Sequence, residues 1–266
     1  MVRTKEKEME QKEMTPREWK EARMKSAEAA SAETQQPMTP PLPPTPPVYD
    51  NKPEGHRAPE KTTMERAASV FSTVFSPLLV PTYGIAFALW TSSLRFLPTG
   101  VRLGVVLITF IITCVIPAAA IFGLWKTGRI SDPGLNKRGE RSIPYVITGL
   151  CYLACAFYLW RVHAPAWLWA FPAGGAVAVV IATFINMRWK ISAHMSGMGG
   201  LLAVAFREAV SGYSAVGDAM IWWLTVLIIL AGCVATSRLI LRRHTLGQVL
   251  AGTALGFVAV FFLSMI

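Results

Sequence analysis

The chain has 266 residues, of which 53% are hydrophobic and only 16% charged, where a soluble domain carries about 25% charged residues. Residues 1–66 hold 12 Lys or Arg against 12 Asp or Glu, so residues 67–266 hold 14 basic and 4 acidic groups, and the net charge of +10 sits wholly in the apolar part. This excludes a soluble globular enzyme, a disulfide-stapled secreted domain and a wholly disordered chain. It leaves an all-α, polytopic membrane protein: a polar cytoplasmic tail over 1–66 and a transmembrane domain over 67–266.

Residues 1–36 are rich in Glu, Lys, Gln and Ala. They have the composition of a charged helix but no apolar stripe with which to dock it. Seven prolines between Pro37 and Pro47 predict an extended, polyproline-like stretch. With so little apolar surface the tail is expected to be disordered, a tether or a ligand for a peptide-binding partner domain. No apolar core follows the charged start, so the segment does not read as a signal peptide.

From residue 67 onward the chain is a series of apolar runs. A helix needs about 20 apolar residues to cross a hydrocarbon core about 30 Å thick. Charge-free runs occupy 67–94, 103–125, 142–160, 162–187, 219–237 and 245–266, and a shorter Gly-rich run occupies 191–206. Counting the short run predicts seven crossings, and six without it. Pro77, Pro81 and Gly84 interrupt the first run, which a bundle tolerates where neighbours satisfy the freed carbonyls. Ser192, Ser196 and Gly200 recur every four residues, a small-residue stripe suited to close helix packing. The four cysteines, Cys114, Cys151, Cys155 and Cys233, lie in apolar runs and read as small buried hydrophobes.

With seven crossings, the linkers near 126–141, 188–190 and 238–244 share one side and carry ten of the fourteen basic groups. The other side has Arg95, Arg102, Arg161 and Arg207. The positive-inside rule puts the ten-charge side, and with it the tail, in the cytoplasm. Arg207 and Glu208 read as an interfacial ion pair, and His163 as a loop residue.

Three polar stretches fall on the basic side: Lys137–Pro144, Lys190–His194, and Ser237-Arg238 followed by His244 and Gln248. Two histidines and several guanidinium groups would face one another there with few acidic partners. Such a cluster favours an anion, because arginine forks match phosphate oxygens and a helix start near Ser192–His194 adds free backbone N–H groups. Two histidines suit phosphoryl transfer, one as nucleophile and one as proton donor. No carboxylate cluster is present to hold a metal, and no cofactor is called for.

These residues resemble the type 2 phosphatidic acid phosphatase superfamily. That family carries, in order, a Lys…Arg-Pro motif, a Pro-Ser-Gly-His motif and a Ser-Arg-x5-His-x3-Asp motif. Here Ile191-Ser192-Ala193-His194 stands in the second place and Ser237-Arg238-x5-His244-x3-Gln248 in the third. In the first, Lys137 and Arg141 are separated by three residues, where the family has six. The resemblance covers roughly 70–266. It implies a membrane lipid phosphatase in which His244 attacks phosphorus, His194 protonates the leaving oxygen, and Arg141, Arg238, Lys137 and Ser192 hold the phosphate. Gln248 stands where the family has the aspartate that orients the nucleophile. The implied substrate is a lipid phosphate or diphosphate, in a bacterial cytoplasmic membrane and with no part for nucleic acid. The alternatives are a catalytically weak or inactive relative that binds or carries anionic lipid, and a small-anion transporter.

Overall fold

A computed structural model describes residues 15–33, 62–135, 137–212 and 214–265. Cα packing separates two units, Met1–Ala58 and Pro59–Ile266. In the first, the described part is helix α1, Pro16–Glu33, capped where Thr15 N and Oγ1 both donate to the Glu18 carboxylate. The described side chains of α1 are exposed, as its unstriped composition requires. The proline-rich stretch lies outside the described residues.

The second unit is helical. Its elements are α2 (Thr63–Val74), α3 (Val80–Thr91), α4 (Thr99–Lys126), α5 (Ser142–Arg161), α6 (Ala166–Asn186), α7 (Ala193–Val210), α8 (Ala219–Ile240) and α9 (Leu246–Ser264). Five of the described helices, α4, α5, α6, α8 and α9, are long and apolar enough to cross a membrane. Helix α7 is less apolar because it is central: Met198, Ala203 and Ala205 are wholly buried, and α3, α6, α8 and α9 all pack on it. A helix wrapped in protein has no need of a lipid-facing surface.

The first apolar run is not one helix. A reciprocal cap between Thr62 and Glu65 starts α2 at Thr63, inside the segment that the charge pattern assigns to the tail. The chain then breaks at Phe75–Leu79, because Pro77 lacks an N–H and disfavours helical geometry at Ser76. Tyr83 Oη donates to Val74 O at 3.0 Å and Tyr152 Oη to Pro77 O at 2.6 Å, so two of the freed carbonyls are satisfied by neighbours. At about 1.5 Å per residue, neither 12-residue piece spans a bilayer alone.

Helix α4 widens to a π-turn at Ile111–Val115 just before Pro117, whose ring crowds the carbonyl of the preceding turn. Helices α7 and α9 meet through glycines. A Cβ on Gly252 would lie 2.6 Å from Ser192 O, and one on Gly256 would strike Ser196 O. The stripe Ser192, Ser196, Gly200 is therefore the face that α9 packs against, and backbone contact replaces side-chain contact along it.

Hydrogen bonds fix which ends lie together. Arg141 Nη1 donates to Ile191 O, Ser192 N to Gln248 O, and Arg238 Nη1 to Ser72 Oγ. The starts of α5, α7 and α9 thus meet the end of α8 and the last turns of α2. At the opposite end Ala215 N donates to Thr91 O and Arg95 Nη1 to Ala215 O. The sequence suggests an Arg207–Glu208 ion pair there, but none forms among the described residues. Arg207 instead stacks 4.5 Å from the Trp167 ring centroid, and the Glu208 carboxylate is 1% exposed with neither oxygen hydrogen-bonded.

Candidate functional site

Where α2, α5, α7, α8 and α9 converge, a cavity of about 490 Å³ opens. Arg141, Arg238, Arg243, His194, His244 and Asp132 line its charged end. Each of the three polar stretches contributes to it: Arg141 from the first, His194 from the second, Arg238 and His244 from the third.

The α8–α9 turn sets the position of His244. Helix α8 ends with Arg243 N donating to Arg238 O and Arg242 N to Leu239 O, a Schellman closure that needs a left-handed residue. Arg242 occupies that position with φ +50°, a conformation that costs a non-glycine residue roughly 1 kcal/mol. The reversal turns Arg243 and His244 back toward the cavity, and Thr245 then caps α9.

Gln248 takes part in both the cap and the site. Its Oε1 accepts from Thr245 N at 3.3 Å and lies 3.1 Å from His244 Nδ1. A backbone N–H can only donate, so the oxygen end of the amide faces both groups and Nδ1 must carry the proton. The Nε2 of His244 is left with its lone pair. Burial and then the Arg238 charge, reinforced by Arg141 and Lys190, push the His244 pKa down to about 3 against the opposing Gln248 bond. The ring is therefore neutral at pH 7 and Nε2 is free to act as a nucleophile or acceptor. Lys190 beside it is also lowered, by burial first and then by Arg141, Arg238 and Arg243.

Arg141 and Arg238 are buried to 6% and 9% exposure. Arg141 is held by carbonyls, with Nε on Leu135 O at 2.9 Å and Nη1 on Ile191 O at 3.3 Å. Arg238 gives Nη1 to Ser72 Oγ at 2.6 Å, and its buried Nε has no partner among the described residues. Neither guanidinium has a carboxylate within salt-bridge distance among the described residues. Asp132 is the acidic residue among the described lining residues, against Arg141, Arg238 and Arg243; an excess of buried positive charge is costly, and an anion in the cavity would relieve that cost.

Ser72 is the residue that sequence reasoning missed. Its carbonyl lies 3.0 Å and its hydroxyl 3.3 Å from His194 Nε2, and since a carbonyl only accepts, Nε2 carries a proton. The signal was present: Ser69, Ser72, Thr73 and Ser76 recur at helical spacing and all line the cavity, while Val70, Phe71 and Val74 face outward. Arg243 also lines the charged end.

Two expected phosphate ligands are placed differently. Lys137 has a 70% exposed side chain, pairs with Glu140 at 3.6 Å and does not line the cavity. Glu140 also accepts from Ser131 N and Oγ, which ties Lys137 to the rim of the 131–140 loop. Ser192 is wholly buried, accepts from Met195 N as the cap of α7, and likewise does not line the cavity. Its hydroxyl serves the helix end that positions His194.

Away from the charges the cavity is apolar. Tyr145, Tyr152, Phe171, Pro172, Gly200 and Val260 continue its wall into the bundle. No cluster of His, Cys, Asp or Glu able to hold a metal is found among the described residues. The chain matches no family model, no curated protein and no solved structure.

Proposed function

We propose that this is a membrane lipid phosphatase of the phosphatidic acid phosphatase type, acting through a phosphohistidine. The observation that carries the reading is one cavity lined by His194, His244, Arg141 and Arg238, with the His244 Nε2 lone pair left free by the Nδ1–Gln248 bond. A phosphate ester enters with its equatorial oxygens on Arg141 and Arg238, and Arg243 closes the rim. His244 Nε2 attacks phosphorus and the P–O bond to the lipid breaks. His194, protonated in the presence of the phosphate dianion, gives its proton to the departing alkoxide. Water then attacks the phosphohistidine, passes a proton back to His194, and breaks the P–N bond to release inorganic phosphate. Seven passages through the bundle would place the charged end on the cytoplasmic side of a cytoplasmic membrane, on the charge bias of the linkers.

Phosphate release by purified protein from a panel of phosphatidate, phosphatidylglycerol phosphate, polyprenyl diphosphate and lipid A phosphate tests this. His244→Ala should lower turnover by about a thousand-fold or more while retaining helical content, and acid-labile phosphate should be trapped on His244 alone. Unchanged turnover in His244→Ala would remove the proposed nucleophile.

A second reading rests on Gln248. An amide fixes the His244 ring but supplies no charge to balance an imidazolium, where such changes cost orders of magnitude. A binder or carrier of anionic lipid would retain lipid binding in His244→Ala with no phosphate release from either protein, and Gln248→Asp would create activity. The transporter reading is disfavoured by the cavity's apolar inner end, beyond which Ile85, Leu89, Cys155, Leu159 and Ala203 form a packed core.

A further inference from the structure

The apolar wall of the cavity continues from the charged end into the bundle as a shaft. Along α5 it runs from Arg141 through Tyr145 and Thr148 to Tyr152, eleven residues or about 16 Å of helical rise. That is roughly half of a hydrocarbon core about 30 Å thick.

The inner end is fixed by ring-on-glycine contacts. A Cβ on Gly84 would strike the Phe171 ring, and one on Gly175 would lie 2.9 Å from Tyr152 Cδ2. A Cβ on Gly200 would lie 3.2 Å from Val260 Cγ2 and 3.7 Å from Phe171, so Phe171, Val260 and Gly200 meet at one level. Phe171 and Val260 belong to the packed cluster that fills the bundle beyond. Tyr152 also ties the α2–α3 break to the shaft through Pro77 O, and Pro77 and Leu78 complete the side wall.

We infer that this shaft takes one hydrocarbon chain of the ligand out of the bilayer, and that Phe171 with Val260 is the floor that gauges its length. The inference rests on the lipid phosphate reading and narrows it to lipids carrying a single acyl or prenyl chain. The charged end at Arg141 and Arg238 is continuous with a mostly apolar wall running into the bundle. A cavity of about 490 Å³ leaves no second chain room beside the first. Ala178 lines the shaft part-way along α6, seven residues from Phe171 toward the charged end.

The test is binding of octyl, dodecyl and hexadecyl phosphate, each below its micellar concentration, with dihexadecyl phosphate for comparison. Affinity should rise by about four-fold for each added methylene until the floor is met, and then level off. Ala178→Leu should move the plateau to shorter chains and Phe171→Ala to longer ones, with dihexadecyl phosphate binding no better than octyl phosphate. A plateau that neither variant moves, or dihexadecyl phosphate binding as tightly as hexadecyl phosphate, would overturn the gauge. Photo-crosslinking to the wild-type chain needs no variant. A diazirine at the chain end should label the peptides of Phe171 and Val260, and labelling of outward residues such as Val70 or Phe184 would sink the idea. Floor labelling without phosphate release from any substrate leaves the shaft standing and removes the phosphatase. Turnover with outward labelling removes the shaft alone.

Discussion

The two ends of the bundle use arginine in opposite ways. At one end Arg102 lies 4.6 Å from the Trp90 ring centroid, Arg207 lies 4.5 Å from that of Trp167, and Arg95 bonds the carbonyl of Ala215. Each guanidinium is engaged locally, in the way interfacial anchors are. At the other end Arg141, Arg238 and Arg243 converge on one cavity, and Arg141 and Arg238 are buried there with no salt bridge among the described residues. A count of basic residues per side separates these ends only by number. What distinguishes an anchor from a ligand is whether the guanidinium groups stand apart or converge on one cavity.

The contrast is broken most sharply by exchanging one arginine from each end for methionine. Arg238→Met should weaken binding of inorganic phosphate or an alkyl phosphate by about ten- to a hundred-fold, the worth of a charge-assisted contact. It should leave the ligand-free protein as stable or more so, because a buried unpaired cation is removed. Arg207→Met should leave that binding unchanged and lower stability by about 0.5–1 kcal/mol through the lost ring contact. Calorimetric titration and thermal melts with and without ligand measure both. Equal loss of phosphate affinity in the two variants would erase the distinction between the ends.

A smaller effect is expected at the ring orienter. Gln248→Ala should cost about 1 kcal/mol of stability through the α9 cap and lower turnover by about ten-fold or more as the His244 tautomer is released. Gln248→Asn, which keeps the amide but shortens the reach, should recover less than half of either loss. An effect on stability without one on turnover would make Gln248 a cap alone.

The charged end should also be sensitive to acid. His244 is held near pKa 3 in the fold against 6.5 as its ordinary value. The unfolded chain therefore takes up a proton below about pH 6.5 that the folded chain refuses, and stability falls as pH drops from 6.5 toward 3. The thermal midpoint should decline over that range, and His244→Gln should decline less steeply. Identical slopes would place the acid sensitivity elsewhere.

The smallest effect concerns the turn itself. Arg242→Gly should stabilise the protein by about 1 kcal/mol, because glycine adopts the left-handed position without steric cost. Phosphate binding should stay within about two-fold, since Arg242 does not line the cavity. A melt that moves down would mean that the Arg242 side chain contributes more than its backbone costs.

The membrane class, the apolar helices and the basic end were legible in the sequence because composition and run length state them directly. The relation of His244 to Gln248 was legible too, since four residues across a helix start fix a neighbourhood locally. The position of Lys137 was not legible because spacing along a loop does not say which way the loop folds, and Lys137 pairs with Glu140, which also bonds Ser131, outside the cavity lining. Ser192 was ambiguous because a serine at a helix start serves a ligand or its own helix equally well by sequence, and here it caps α7 and does not line the cavity. Ser72 escaped because hydropathy joined α2 and α3 into one run and hid the hydroxyl stripe.

By itself the sequence determined that this chain belongs in a bilayer, that its charge gathers at one end, and that Ser237, Arg238 and His244 stand close together along the chain. Only the tertiary structure decided which of those charges share a cavity, that α2 supplies Ser72 to it, and that Phe171 and Val260 close it part-way down. The reason is range. Periodicity and capping act within a few residues, whereas the cavity depends on glycine backbones in contact between α7 and α9, rings seated on Gly84 and Gly175, and a break at Pro77 held by Tyr152. Each of these contacts joins residues far apart in the chain, and no local pattern records them.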